Sequence, residues 1–339
     1  MNRYSFLGSV AFLATIPLWC HDPYLLSVAS AAGIFVIAAI SLNLLLGYTG
    51  QLSLGHAAFF GIGAYTSALM SVGFDVDLGF GVLLVTPKPV WVGFLTGILM
   101  AGLSGWLVGK LAFRVRGAYF VIVTISFAQV MRMVALNWVD LTEGPMAVNN
   151  IPSLSLWLPG KGVVPLSSKA AIYWLVLAVA VVAYLCVSRL IRCRAGRAMI
   201  ALRENETLAR SVGVRVTHYL MIASVFSSGI AGAAGGLYAH TVGIIDPDVF
   251  MFIYTITMVI MVISGGKGTL AGPVVGGVIF GLLPEILRGL VPPEVQWIIY
   301  GALMIAIVVF LPKGVVPAFR TTLARRAARP AAGVKGVVQ

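Results

Sequence analysis

The chain has 339 residues, of which 60% are hydrophobic and only 10% are charged, and its formal net charge at pH 7 is +12. Soluble domains carry about 25% charged residues, so this composition excludes a soluble globule, a disordered chain and a disulfide-rich secreted module. The cysteines Cys20, Cys186 and Cys193 are scattered, without metal-ligand spacing. The basic residues fall in short blocks between long apolar runs, which indicates a membrane protein rather than one that binds nucleic acid.

About ten apolar runs approach the length needed to cross a hydrocarbon core of about 30 Å as helices. The sequence therefore predicts an all-α, polytopic integral membrane protein. The expected spans are 5–20, 24–47, 52–72, 90–113, 117–137, 169–191, 218–240, 249–264, 269–287 and 296–312. The first run imitates a secretory signal, but the bulky Trp19 makes a poor cleavage site, so we expect a retained helix.

The third run is interrupted by glycines and opens with polar residues. Gln51, Ser53 and His56 stand at its start, and Gly61 and Gly63 lie within it. Non-helical backbone at membrane depth is tolerated only where it is buried in protein or faces a water-filled cavity. We therefore predict a broken or re-entrant element near 47–65.

The distribution of charge predicts the orientation. An even number of spans with both termini inside puts most lysines and arginines on the cytoplasmic side, as the positive-inside rule requires. Residues 1–313, with a cytoplasmic loop at 189–218, then form the membrane domain. Residues 314–339 are predicted to be a basic, flexible cytoplasmic tail.

The loop at 189–218 contains a helical pattern of apolar residues. Met199 and Leu202 are spaced for one helix face, as are Leu208 and Val212, and Gly213 is a suitable end. The pattern predicts a short amphipathic helix at the cytoplasmic surface. The alternative is a basic loop that only fixes the topology.

The sequence lacks the residue patterns that are typical of energy conversion and redox chemistry. No acidic residue lies at the centre of a predicted span, which argues against a proton relay. The nearest approach to a P-loop, Ser264 to Thr269, lacks the required spacing. The sequence also has no zinc or iron–sulfur spacing. We therefore expect no catalytic residue, no metal and no cofactor.

Several segments resemble one transporter family. Glu206 to Gly213 resembles the Glu-Ala-Ala…Gly coupling loop of permease subunits in ABC importers, and with Arg203 the stretch is similar to the version in branched-chain amino-acid permeases. Four other segments resemble further sequence blocks of that family in the same order along the chain: 41–65, 116–124, 141–145 and 262–273. The chain is therefore similar to LivM-type permeases of branched-chain amino-acid ABC importers.

The resemblance implies a multi-pass protein of the bacterial inner membrane that moves branched-chain amino acids by ATP-driven alternating access. The implied partners are two ABC ATPase subunits, a second homologous permease, a periplasmic or lipid-anchored solute-binding protein, and membrane lipid, but no nucleic acid. The implied ATPase-coupling residues are Arg203, Glu204, Asn205, Glu206, Thr207, Leu208, Ala209, Arg210 and Gly213. The candidate pathway residues are Asn43, Gly47, Gln51, Ser53, His56 and Tyr65.

Other functions remain open at this point. Urea and short-amide ABC permeases share the scaffold, so urea or a short amide is an alternative substrate. An ion-coupled secondary transporter and a structural subunit of a membrane complex are alternatives from other classes. Each polar pathway candidate has its own alternative, which is a hydrogen bond to a neighbouring helix.

Overall fold

The computed structural model describes residues 3–19, 22–77, 82–115, 117–158, 162–165, 168–288, 290–319 and 321. The α-helices are α1 (Arg3–Trp19), α2 (Pro23–Asn43), α3 (His56–Val72), α4 (Val90–Ala112), α5 (Ala118–Asn137), α6 (Val139–Thr142), α7 (Lys169–Arg192), α8 (Arg194–Glu204), α9 (Glu206–Ser211), α10 (Val216–Val242), α11 (Phe252–Gly265), α12 (Gly272–Arg288) and α13 (Pro293–Phe310). The described residues also include a π-helix (Leu44–Thr49) and two 3₁₀ helices (Gly144–Met146, Pro247–Phe250). Each predicted run contains one α-helix of at least 14 residues.

Among the described residues, five helices are long and apolar enough to cross a membrane. They are Pro23–Thr49, Val90–Ala112, Ala118–Asn137, Lys169–Arg192 and Val216–Val242. This agrees with an all-α, multi-pass membrane protein. The count of ten spans and the position of the termini stay predictions.

The core of the fold consists of α2, α3, α4 and α10. These helices approach closely because small residues face one another, as is common between membrane helices. A Cβ atom on Gly63 of α3 would lie 2.3 Å from the Cα atom of Gly232 on α10. Glycine at this crossing therefore sets the distance between the two helices.

The break predicted near 47–65 is present. Helix α2 continues into the π-helix, which ends at Gly50 in the left-handed region (φ 75°). Residues 50–55 are not helical, and α3 begins at His56. A hydroxyl supports the restart, because Thr255 Oγ1 of α11 accepts a hydrogen bond from the Ala57 backbone N–H at 2.9 Å.

Two short hairpins lie between long helices and were not predicted. Strand β1 (Phe74–Asp77) pairs antiparallel with β2 (Val82–Val85), between α3 and α4. Strand β3 (Ser155–Leu158) pairs antiparallel with β4 (Gly162–Pro165), before α7. Of the predicted tail, residues 320 and 322–339 lie outside the described residues.

Candidate functional site

The segment 189–218, which the sequence analysis predicted to be cytoplasmic, contains two short helices where one was predicted. Helices α8 and α9 are separated by Asn205, whose backbone is extended (φ −159°, ψ 106°). Its side-chain oxygen accepts a hydrogen bond from the Leu208 backbone N–H at 3.0 Å. Asparagine is a favoured N-cap because it satisfies a free donor in the first turn of a helix. Asn205 therefore ends α8 and starts α9.

Helix α8 packs against the membrane domain through its apolar face. Met199 is fully buried and Leu202 is nearly so, as their spacing predicts. They belong to one cluster with Leu44 and Tyr48 of the π-helix and Val187 of α7. The loop is thus attached to the end of α2 by hydrophobic packing.

Arg203 adds a polar link at the same place. Its Nη1 donates a hydrogen bond to the Gly47 carbonyl oxygen at 2.8 Å. Its Nη2 also lies 2.5 Å from Glu204 Oε1 in an ion pair. The last turn of α8 is therefore fixed to the π-helix by a charged donor.

Asn43 joins a third segment to this point. Its Nδ2 donates to the Thr269 carbonyl at 2.9 Å, and its Oδ1 accepts from the Gly268 N–H at 2.9 Å. A Cβ atom on Gly47 would lie 2.1 Å from Asn43 Oδ1 and 2.4 Å from the Gly268 nitrogen. Only glycine fits there. We call Asn43, Gly47, Arg203, Gly268 and Thr269 the inner junction, because they connect α2, α8 and the α11–α12 turn.

Helix α9 and the residue that caps its C-terminus, Val212, present an apolar patch to solvent. Leu208 is 63% exposed and Val212 is 73% exposed, and residues four apart are neighbours on a helix surface. Ala209 faces inward and is buried. Glu206 Oε1 and Arg210 Nη2 form an ion pair at 3.4 Å beside the patch. Gly213 follows α9 in the left-handed region (φ 87°), as its position in the pattern predicts.

The six pathway candidates divide into two groups. Asn43 and Gly47 lie in the inner junction, and the side-chain amide of Asn43 is occupied there. Ser53, His56 and Tyr65 are buried within the membrane domain, and Gln51 is half-buried.

Ser53, His56 and Tyr65 retain unused polar atoms. His56 Nε2 is 2.7 Å from Ser41 Oγ. Among the described residues, His56 Nδ1, Ser53 Oγ and Tyr65 Oη have no hydrogen-bond partner although they are buried. A buried polar group without a partner costs free energy, and a water or ligand that bonded to these atoms would remove that cost.

The sequence analysis missed the hydroxyls that hold the broken element. Ser227 Oγ of α10 donates to the Ser41 carbonyl at 2.6 Å, and Thr124 Oγ1 of α5 accepts from the Leu54 N–H at 3.3 Å. The available signal was weak, because serine and threonine are common within membrane helices. Their partners lie far away in sequence, so the pattern does not identify them.

Comparison with known proteins identifies the family of the chain. Residues 24–308 match the family described as the branched-chain amino acid transport system permease component. The chain is 29% identical over 337 residues to the high-affinity branched-chain amino acid transport system permease protein LivM of Escherichia coli (93% of this chain, 75% of the relative). It is 28% identical over 292 residues to LivH of Salmonella typhimurium (83% and 90%). It is 25% identical over 326 residues to the probable LivM of Methanocaldococcus jannaschii (84% and 91%). No solved structure was found to match.

Proposed function

The chain belongs to the family of branched-chain amino acid transport permeases, and from this membership we propose that it is the transmembrane permease subunit of an ABC importer. In this proposal it carries branched-chain amino acids across the bacterial inner membrane by ATP-driven alternating access. It hydrolyses no ATP itself. Two ATPase subunits supply the free energy by hydrolysing ATP, and a solute-binding protein delivers the substrate at the outer face.

The observation that supports this function most directly is the construction of the cytoplasmic segment. Leu208 of α9 and Val212, which caps it, are exposed to solvent, whereas most other exposed residues of the segment are polar or basic. Burial of a leucine side chain is worth about 1.5–3 kcal/mol, so a partner that covers this patch gains affinity. We assign that partner as the ATPase.

The inner junction supports a route from the ATPase to the membrane helices. A movement of α9 is passed to α8 through the short connection at Asn205. Arg203 then acts on the π-helix through the Gly47 carbonyl, and Asn43 extends the link to the α11–α12 turn. Because α2, α11 and α12 meet at this point, a displacement of α8 changes their relative positions.

The pathway in this proposal follows the broken element. Ser53, His56 and Tyr65 hold uncharged polar atoms that are unused among the described residues, which suits a substrate that must bind and leave. Gln51 lies toward the cytoplasmic end of the same element. The ten helices that lie in the predicted runs then form ten spans with both termini inside, and α3 crosses with the help of the non-helical residues 50–55. A second, homologous permease completes the channel.

Co-purification with the proposed partners tests this function. The chain is expressed with a second permease, the ATPase and the binding protein encoded near it, and the complex is reconstituted in proteoliposomes. We expect ATP-dependent uptake of leucine. Uptake that persists with an ATPase unable to hydrolyse ATP would refute the proposal, and uptake of urea in place of leucine would reassign the substrate.

The variant Glu206→Lys tests the assigned coupling loop within the same assay. It replaces the ion pair with Arg210 by two like charges at adjacent positions on α9. We expect membrane insertion to be retained while ATP hydrolysis is uncoupled from leucine uptake. Normal uptake by this variant would show that α9 is not the coupling helix.

A further inference from the structure

An ion pair joins α5 to the short helix between α10 and α11. Arg132 is on α5, five residues before the helix ends, and its Nη2 is 2.8 Å from Asp248 Oδ1. Asp248 belongs to the 3₁₀ helix Pro247–Phe250, which connects α10 to α11. From these residues we propose that Arg132, Asp246 and Asp248 form a binding site for the zwitterionic head group of an amino acid, at the outer end of the pathway. This inference rests on the proposed function and identifies the charge type of its substrate.

The arginine has binding capacity that the ion pair does not use. A guanidinium group carries five N–H donors, and the structure gives one bond to Asp248. Arg132 Nε is buried and has no partner among the described residues. The side chain of Arg132 is 25% exposed, so the group remains reachable. A carboxylate is the ligand that fits free guanidinium donors, since it accepts two parallel hydrogen bonds.

The acidic side of the site is also open. Asp248 is 54% exposed in its side chain and uses one carboxylate oxygen for Arg132. Asp246 lies two residues earlier, and its Oδ1 accepts a hydrogen bond from the Asp248 N–H at 3.1 Å. Together the two aspartates carry two negative charges against one arginine. The excess suits an ammonium group.

The position of the pair is held by aromatic packing. Phe250, in the same 3₁₀ helix as Asp248, stacks on Tyr65 of α3 with ring centroids 5.6 Å apart. Tyr65 Oη is buried without a partner among the described residues. The site thus adjoins a residue that the sequence analysis assigned to the pathway.

Helix α5 is suited to line a pathway. It is the least buried of the five long apolar helices, with 22% of its apolar window inside the fold. Gln129 lies one turn before Arg132 and is partly exposed, which extends the polar face along the helix. Charged and polar groups in a membrane helix are costly when they face lipid, so this face is expected to meet water or the second permease.

These groups favour a zwitterion over an uncharged substrate. In the resting protein Arg132 and Asp248 neutralise each other. An arriving amino acid places its carboxylate on Arg132 and its ammonium group between Asp246 and Asp248, so Arg132 and Asp248 each exchange one charged partner for another. Urea and short amides have no charges to exchange.

The test is leucine uptake by the reconstituted complex at saturating, leucine-loaded binding protein. Arg132→Gln and Asp248→Asn are compared with Arg288→Gln. Arg288 is an exposed arginine on α12 whose Nη1 lies 3.8 Å from Glu285 Oε1. We expect uptake to fall at least about tenfold in the first two variants, because each loses hydrogen bonds between charged groups. Uptake and basal ATP hydrolysis stay normal in Arg288→Gln, and all three variants retain complex assembly.

Two further variants separate a binding site from a structural link between α5 and the 3₁₀ helix. Arg132→Lys keeps the charge but cannot form two parallel hydrogen bonds to a carboxylate, so uptake is reduced while the complex still assembles. The charge swap Arg132→Asp with Asp248→Arg restores a structural link but not the site, so uptake stays low. Normal uptake in Arg132→Gln, in Arg132→Lys or in the swap would overturn the inference. Failure of the wild-type complex to take up leucine would instead overturn the proposed function.

Discussion

Replacing Arg203 with glutamine removes the charged donor that links α8 to the π-helix. Arg203 Nη1 is 2.8 Å from the Gly47 carbonyl oxygen, in a partly buried position. A hydrogen bond from a charged group contributes about 1.5–3 kcal/mol, which corresponds to about a 10- to 150-fold change in the equilibrium between a joined and a separated junction. The hydrophobic contacts of Met199 and Leu202 are unchanged, so α8 keeps its place when the permease is at rest.

The assay is the ratio of leucine molecules taken up to ATP molecules hydrolysed in proteoliposomes that contain the whole complex. We expect Arg203→Gln to lower this ratio at least about tenfold while ATP hydrolysis continues. Arg203→Lys, which keeps the charge, lowers it less. Arg194→Gln is the matched control, because it removes the same charge from the exposed first turn of α8. An unchanged ratio in Arg203→Gln would refute the role of the inner junction in coupling.

Three other predictions concern the same region. Gly47→Ala places a methyl group 2.1 Å from Asn43 Oδ1 and should destabilise the detergent-solubilised protein by about 1–3 kcal/mol, measured by thermal unfolding. The control Gly229→Ala, where the nearest atom is 3.8 Å away, should leave the stability unchanged. Equal destabilisation by the two variants would contradict the close contact at Gly47. Asn205→Ala removes the N-cap of α9 and should destabilise that helix by about 1 kcal/mol. Amide hydrogen exchange should therefore accelerate in α9 but not in α8. Unchanged exchange in α9 would show that the Asn205 side chain does not stabilise the helix. Leu208→Asp places a charge in the apolar patch and should weaken retention of the ATPase in pull-down assays about tenfold or more, with normal retention arguing that the patch is not an interface.

Much of the fold could be predicted because the membrane imposes a strong pattern. A helix that crosses lipid must be apolar over most of its length, so each long run in the sequence contains a helix in the structure. The break after Gly50 was also predictable, since polar residues and glycines cluster there. The hairpins were not, because four-residue strands such as β1 carry too few residues for a clear alternation.

The finer features of the site depend on contacts that are distant in sequence. The amphipathic spacing predicts a helix near Met199, but the break at Asn205 depends on a side chain that caps the next helix. Asn43 was assigned to the pathway because it is polar and lies in an apolar span. In the structure its amide binds the α11–α12 turn, more than 200 positions later in the chain. No local pattern distinguishes these two roles.

Site-specific photo-crosslinking from position 208 tests the central claim most directly. A photoreactive amino acid is introduced at Leu208 on α9 and, as a control, at Leu84 in the β1–β2 hairpin, which is 70% exposed. The complex with the ATPase is then irradiated in membranes. We expect an adduct between position 208 and the ATPase, and none from position 84. A complex that hydrolyses ATP and takes up leucine but gives no ATPase adduct from position 208 would contradict the account.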